Sequence, residues 1–597
     1  MEHGYNEERA IQILISLLKA HGIKKVVASP GATNVTFLGS IQYDPWFEIY
    51  SSVDERSAAY IACGMAYESG EPVCLSCTGA TASRNYYPGM TEAYYRKLPV
   101  IAITSTQIHA RQGNLYAQVI DRSVIANDVA NYNVTLPYVT TRDEEQECNI
   151  KVNEALLACR RRGGGPVHIN LQTMYSRNFG IKELPDERVI NRIGFSDEWP
   201  EIRTDRVGIF IGSHKKMNKN QEELIEKFCE LYNGVVFCDH TSGYYGKYKV
   251  NYDIASSQII DNGENIPLLI HIGDVSGSYF IGNNANETWR VCADGEIKDR
   301  FGNLTKIFEM TEEMFFSHYI AECNENQSDI TGSDKYLSYY DECKERVGQL
   351  REKIPELPFS AAWIAQNTCD KIPKNSVIHF GIYNSLRVWN YFDLPSGVES
   401  ASNVGGFGID GAMSTLLGSA ILTPDKMHFI VLGDLAFFYD MNVLGNRHIC
   451  RNMKILLINN GKGSEFKIYN HIAAEFGDDA DKYMAAAGHF GNKSSELVKH
   501  YVTDLGFDYL CAKTKEEYLS KLPEFLSESP TERPLVFEVF TESENESRAL
   551  ELIHSIDKNK QMVAKDMLRS VTGDKGYDFL RKVKHTFQNK KNDNLRK

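Results

Sequence analysis

The sequence predicts an α/β protein of three successive doubly wound parallel-sheet domains with a helical C-terminal tail. Three observations carry that expectation. Short apolar strand segments alternate with helical ones along most of the chain, the pattern of parallel sheets joined by crossover helices. The chain has 597 residues, more than one core fills. The alternation is also interrupted twice, by a polar stretch at residues 183–205 and by the charged run "DECKERVGQLREKIPELP".

The first set holds a helix in "AIQILISLLKAHG", a strand and turn in "KKVVASPG" and a helix in "AAYIACGMAYESG". Strands follow in "EPVCLSCTG", "LPVIAITST" and "GPVHINL", which makes residues 1–182 a domain. Cys74 and Cys77 have CxxC spacing, but no second pair accompanies them, and a buried strand explains them best. The stretch at 183–205 reads as a linker. A second domain over 190–350 takes "RVGIFIGS", "GVVFCDH" and "PLLIHIGD" as strands. A third over 355–545 takes "NSVIHFGIYNS", "MHFIVLGD", "KILLINNG" and "PLVFEVF". Residues 546–597 read as a polar, helical tail with a basic, solvated end.

Composition narrows the function classes. With 42% hydrophobic and 24% charged residues the chain reads as a folded soluble protein. A net charge of -14 argues against a nucleic-acid partner, because phosphate neutralisation needs a basic surface. No apolar run approaches the roughly 20 residues that span a bilayer, so no membrane role is expected. The N-terminus "MEHGYNEERA" lacks the apolar core of a signal peptide. Thirteen scattered cysteines then point to reduced thiols and a cytoplasmic location.

The chemistry concentrates in "VLGDLAFFYDMNVLGNRHICRNMKILLINNGKG". Two strands here end in small polar groups, Gly433-Asp434 and Asn459-Asn460, and ligands of doubly wound sheets sit beyond such strand ends. A carboxylate and an amide carbonyl suit a hard cation such as Mg²⁺, which keeps few protein ligands and completes its shell with phosphate and water. The backbone amides of Leu435 and Ala436, near a helix start, face a phosphate oxygen in this reading. Either motif alone is an ordinary strand-ending turn; together they form a Mg²⁺-diphosphate clamp.

These residues resemble the metal and diphosphate motif of thiamine diphosphate (ThDP) enzymes, of the acetolactate synthase and pyruvate decarboxylase type. The resemblance implies ThDP and Mg²⁺ as cofactors, with Gly433, Leu435 and Ala436 at the diphosphate. It implies Asp434, Asn460 and the Lys462 carbonyl as metal ligands. A second match is "IYSSVDERSAAYIACGMAYESGEPVCLSCTGATASRNYYPGMTEAYY", where Glu55 stands in place of the glutamate that hydrogen-bonds the aminopyrimidine ring and drives cofactor deprotonation. Read without the family, Glu55 is a carboxylate at a helix N-terminus, favoured by the dipole. "SASNVGGFGIDGAMSTLLG" offers Ile409 as the residue that props the cofactor into its bent form. "YNSLRVWN" places Ser385, and "KGSEFKIYN" places Phe466, near the cofactor, while Gln118 matches a catalytic position on the aminopyrimidine side. The likeness orders the domains as pyrimidine-binding, middle and diphosphate-binding. It further implies a homodimer or dimer of dimers, in which one chain supplies the pyrimidine half of a site and its partner the diphosphate half.

"SPG", "DER", "TGA", "NYYPGMTEA", "NSL" and "GIDG" resemble in particular the menaquinone-pathway synthases that add a decarboxylated 2-oxoglutarate unit to isochorismate. That family grips carboxylates with arginines, whose planar fork pairs bidentately. Thr33, Trp389 and Val404 stand at those positions here, and Arg387, Arg111 and Lys462 are the available replacements. His109, His489 and Glu465 are further polar candidates, without the adjacent histidine pair of simple pyruvate decarboxylases. The expected activity is decarboxylation of a small, pyruvate-like 2-oxo acid and transfer of the activated aldehyde to an acceptor carbonyl, as in an acetolactate synthase-like carboligase. The alternatives are a non-ligating decarboxylase and a non-catalytic protein retaining the fold; oxidase chemistry would need a flavin in the middle domain, where "RVGIFIGSHKK" offers only a glycine turn.

Overall fold

The computed structural model describes residues 4–258, 265–278, 280–326, 337–490, 493–528 and 530–557. The basic end of the tail, residues 558–597, lies outside them. The chain forms two compact units, residues 1–202 with 287–311, and residues 203–286 with 312–597. Its strands build three parallel sheets, as the alternating pattern requires.

In the first unit, β1 (Lys25–Ala28), β2 (Glu48–Ser51), β3 (Val73–Cys77), β4 (Val100–Gln107), β5 (Tyr132–Thr135) and β6 (Val167–Thr173) form a sheet of order β2-β1-β3-β4-β6-β5. Helix Arg9–Ala20 lays Ile11, Leu14 and Leu18 on one face of it, and helix Arg142–Ala158 packs beside. The second of these starts in a capping box between Thr141 and Glu144, which satisfies otherwise orphaned amides. Cys74 and Cys77 lie in the fully buried β3, as a structural strand pair should. All thirteen cysteines are free thiols.

The stretch read as a linker contains β7 (Asn191–Ile193), three residues too few to show an alternating pattern. Beyond it come β8 (Val207–Ile211), β9 (Gly234–Cys238), β10 (Lys249–Val250), β11 (Ile266–Ile272), β12 (Ala285–Val291) and β13 (Leu304–Phe308). In the first unit β12 pairs with β13 and β13 with β7. In the second the order is β10-β9-β8-β11.

The third sheet, also in the second unit, holds β14 (Ser376–Phe380), β15 (Val398–Ser402), β16 (Met427–Gly433), β17 (Met453–Asn459), β18 (Asp508–Ala512) and β19 (Leu535–Phe540). Its order, β15-β14-β16-β17-β19-β18, repeats that of the first sheet strand for strand. The region read as a tail opens with helix Ser543–His554, whose Ala549, Leu550 and Ile553 are buried. Within this unit His240, just after β9, donates from Nε2 to the carbonyls of Trp389 (3.0 Å) and Phe392 (3.1 Å). Burial pulls its imidazole down to about 4, so it stays a neutral strut. That strut fixes the end of helix Asn384–Trp389, the helix carrying Ser385 and Arg387.

Candidate active site

Strands β16 and β17 are parallel neighbours with Gly433 opposite Ile458, so they end almost level. The next residues, Asp434 and Asn460, therefore emerge side by side at the carboxyl edge of the sheet, where parallel sheets bind ligands. Asp434 is 4% exposed, and burial pushes its carboxyl up to about 7 although the amides of Leu435 and Gly461 favour the charged form. The two asparagines have separate roles. Asn459 turns inward, donating to Glu538 Oε1 (2.7 Å) and accepting from the Gly461 amide (3.2 Å). Asn460 Oδ1 is buried and accepts no hydrogen bond from any described residue. The Lys462 carbonyl takes one bond from the Ser464 amide (2.9 Å) and retains a second lone pair.

A buried carboxylate, an orphaned amide oxygen and a carbonyl form an all-oxygen donor set that fits a hard divalent cation. Among the described residues no cluster of three or more His, Cys, Asp or Glu side chains offers another metal site. A cavity of about 600 Å³ opens over this edge. Gly433, Asp434, Leu435, Ala436, Asn460, Lys462, Ile409, Ser385 and Phe466 all line it, so the structure brings the sequence-derived candidates of this domain together.

Sequence reasoning missed several of its walls, Tyr383, Phe407, Asp410 and His471 among them. Tyr383 (φ 61°) and Phe407 (φ 53°) both hold left-handed backbone, and their rings meet edge to face at 5.6 Å. Left-handed non-glycine residues persist where surrounding structure over-determines them, and they cluster at functional sites. His471 stands perpendicular to the Phe466 ring and accepts the Ala473 amide at Nδ1 (3.1 Å), which leaves the proton on Nε2. Asp410 adds an exposed carboxylate.

Glu55 and Gln118 lie in the first unit. Glu55 opens helix Glu55–Ser69 just beyond β2, capped by Asp54, which accepts the Ser57 amide. Its Oε2 accepts from Asn85 Nδ2 (3.1 Å), which aims the carboxylate. Gln118 is exposed at φ 65° in the loop after β4.

The three positions expected to have lost arginines are buried and apolar or self-satisfied. Val404 is buried, and Trp389 packs on Phe380 with centroids 5.3 Å apart. Thr33 Oγ1 bonds Thr78 Oγ1 (2.6 Å) and the Ser105 carbonyl (2.9 Å). Of the replacement cations, Arg387 holds Glu465 bidentately (2.8 and 2.9 Å), and Lys462 Nζ holds Asp481 (2.6 Å). Arg111 lies over the Tyr116 ring. His109 and His489 are exposed and outside the cavity lining.

A cleft at the strand ends of a parallel sheet, with oxygen donors at its floor, defines an α/β enzyme that binds its ligand beyond the sheet edge. Comparison with known proteins specifies which kind. The family model described as "Thiamine pyrophosphate enzyme, N-terminal TPP binding domain" matches residues 8–125. The 2-succinyl-5-enolpyruvyl-6-hydroxy-3-cyclohexene-1-carboxylate synthase of Bacteroides thetaiotaomicron is 30% identical over 564 residues, covering 92% of this chain and 98% of that protein. The synthase of the same name from Bacteroides fragilis is 30% identical with the same coverage, and that from Flavobacterium psychrophilum 28% identical over 89% of this chain and 95% of its own. The chain belongs to the thiamine diphosphate enzyme family, and it is a ThDP-dependent enzyme. Among the described residues no helix is long and apolar enough to cross a membrane.

Proposed function

We propose that the protein is a Mg²⁺-requiring ThDP carboligase that decarboxylates a small 2-oxo acid, pyruvate before 2-oxoglutarate, and joins the remaining unit to an acceptor carbonyl. Asp434, Asn460 and the Lys462 carbonyl hold the cation; the amides of Leu435 and Ala436 meet the diphosphate; Ile409, Ser385 and Phe466 shape the cleft around the ring system. Glu55 would supply the carboxylate that holds and releases a proton at the pyrimidine ring, and Gln118 would border the reacting side. The cofactor, when bound, supplies the nucleophilic carbon and electron sink that let a 2-oxo acid lose carbon dioxide.

The observation that carries the donor assignment is that Lys462, which lines the cavity, and Arg387, whose partner Glu465 lines it, are both paired. Arg387 is held by Glu465 and Lys462 by Asp481, and the three positions expected to bear arginine are Thr33, Trp389 and Val404. A donor with a second carboxylate would have to break one of those pairs or bury its charge against apolar groups, which costs several kcal/mol. A short donor without a second carboxylate needs neither. Ligation rather than release of an aldehyde rests on the likeness to synthases and on the missing histidine pair.

The near full-length match to these synthases, at 30% identity, favours one second reading: the menaquinone-pathway reaction, in which a decarboxylated 2-oxoglutarate unit is added to isochorismate. Labelled pyruvate and labelled 2-oxoglutarate, each with isochorismate, a second 2-oxo acid or a ketosugar as acceptor, separate the two by carbon dioxide release and product mass. Faster release from 2-oxoglutarate rejects the proposed donor, and a free aldehyde as sole product rejects ligation.

A further inference from the structure

Behind the first sheet lies a small cavity, about 10 Å³, with room for one atom of the size of water or a halide. Ser83, Tyr86, Tyr87, Thr104, Arg122 and His168 are among its walls. Arg122 is 2% exposed, yet its guanidinium has a single described partner, Asn170 Oδ1, at Nη2. Its Nε and Nη1 are buried and donate to no described residue.

Buried arginines ordinarily meet a carboxylate, because an uncompensated buried charge is strongly disfavoured. None does so here. The neighbouring charged group is another cation, Arg84, and the nearby histidine cannot help. His168 is fully engaged, through Thr104 Oγ1 (2.6 Å) and Asn133 Oδ1 (2.6 Å), and is held neutral by burial and by the two arginines. The site thus has positive charge, unsatisfied N–H donors and space for one atom. A water molecule would accept those hydrogen bonds and leave the charge in place; a halide accepts them and neutralises it.

We infer that the Arg122 cavity is a binding site for a monatomic anion, chloride in ordinary solution. The anion has a structural consequence. Arg122 sits in the irregular segment between β4 and β5, four residues after Gln118, and its carbonyl accepts from Asn133 Nδ2 (3.4 Å). Fixing the guanidinium against the sheet fixes the segment that presents Gln118.

The test uses the full chain. Crystals soaked in bromide should show an anomalous peak in contact with Arg122 Nε and Nη1. In solution, replacing gluconate, too large for the cavity, by chloride at constant ionic strength should raise the melting temperature saturably, and Arg122→Met should abolish that saturable rise. Absence of a bromide peak together with a melting temperature indifferent to halide would overturn the inference and leave the cavity to water. Should Arg122→Met fail to fold, the bromide measurement on the unaltered chain decides alone.

Discussion

Asp434 and Asn460 are adjacent at one sheet edge, the first a buried carboxylate and the second an amide whose oxygen accepts no hydrogen bond from any described residue. Asn460→Ala removes the carboxamide with its orphaned oxygen, so ThDP affinity in Mg²⁺ should fall on the order of 100-fold, as when metal-site groups are deleted. Asp434→Ala should abolish binding measurable by calorimetry, and EDTA should do the same to the unaltered protein. Equal ThDP affinity with and without EDTA would remove the cation from the site. Glu55→Gln preserves size and can still accept from Asn85, so it should keep the fold and most ThDP affinity while turnover collapses. Exchange of the thiazolium proton, followed by NMR, reports this directly; a rate equal to that of the unaltered enzyme assigns Glu55 another role.

At the scale of elements, helix Ser543–His554 is docked by one buried carboxylate. Glu546 accepts from Thr541 Oγ1 (2.7 Å) and from the Ala361 amide (2.9 Å), and burial pushes its carboxyl up to about 7. An unfolded glutamate titrates near about 4.3, so between these values the folded chain keeps a proton that the unfolded chain has lost. Stability from this group is therefore present at low pH and lost as pH rises through 7. Glu546→Gln removes the charge and keeps both contacts when its oxygen accepts the Ala361 amide and its NH2 donates to the Thr541 hydroxyl. It should melt higher than the unaltered protein at pH 8 and about equally at pH 4, as thermal scans across pH would show. Helix Tyr87–Tyr95 approaches helix Glu55–Ser69 at Gly89, where an added Cβ would come within 2.4 Å of Ala59 Cβ. Gly89→Ala should thus destabilise by about 1–3 kcal/mol in urea titration, the usual overpacking range. The parallel sheets were legible because strand and helix periods alternate clearly in the sequence, and the candidates over β16 and β17 because their motif is contiguous. Less local features were hidden. β7 is too short to carry a pattern. Tyr383 and Phe407 reach the cavity through left-handed backbone, which residue identity does not announce. The partner that occupies Arg387 lies 78 residues away.

For the whole molecule, the face around Glu55 is informative. Val53, Tyr60 and Tyr67 recur every seven residues and are exposed with Ile49, Tyr50 and Ile61, a run of large exposed apolar side chains from β2 through the helix that opens at Glu55, of the kind that favours an interface. The protein should scatter light as a dimer or a dimer of dimers, and a catalytically active monomer would exclude this. Mixed chains of Glu55→Gln and Asp434→Ala, each inactive alone, should recover part of the activity, because the hybrid contains one site with both carboxylates intact. The shared strand order of the first and third sheets makes one difference between them legible. A carboxylate, Glu55, follows the second strand of the first, and another, Asp434, follows the third strand of the other, so the same scaffold is used twice with its acid mounted at a different place along the edge.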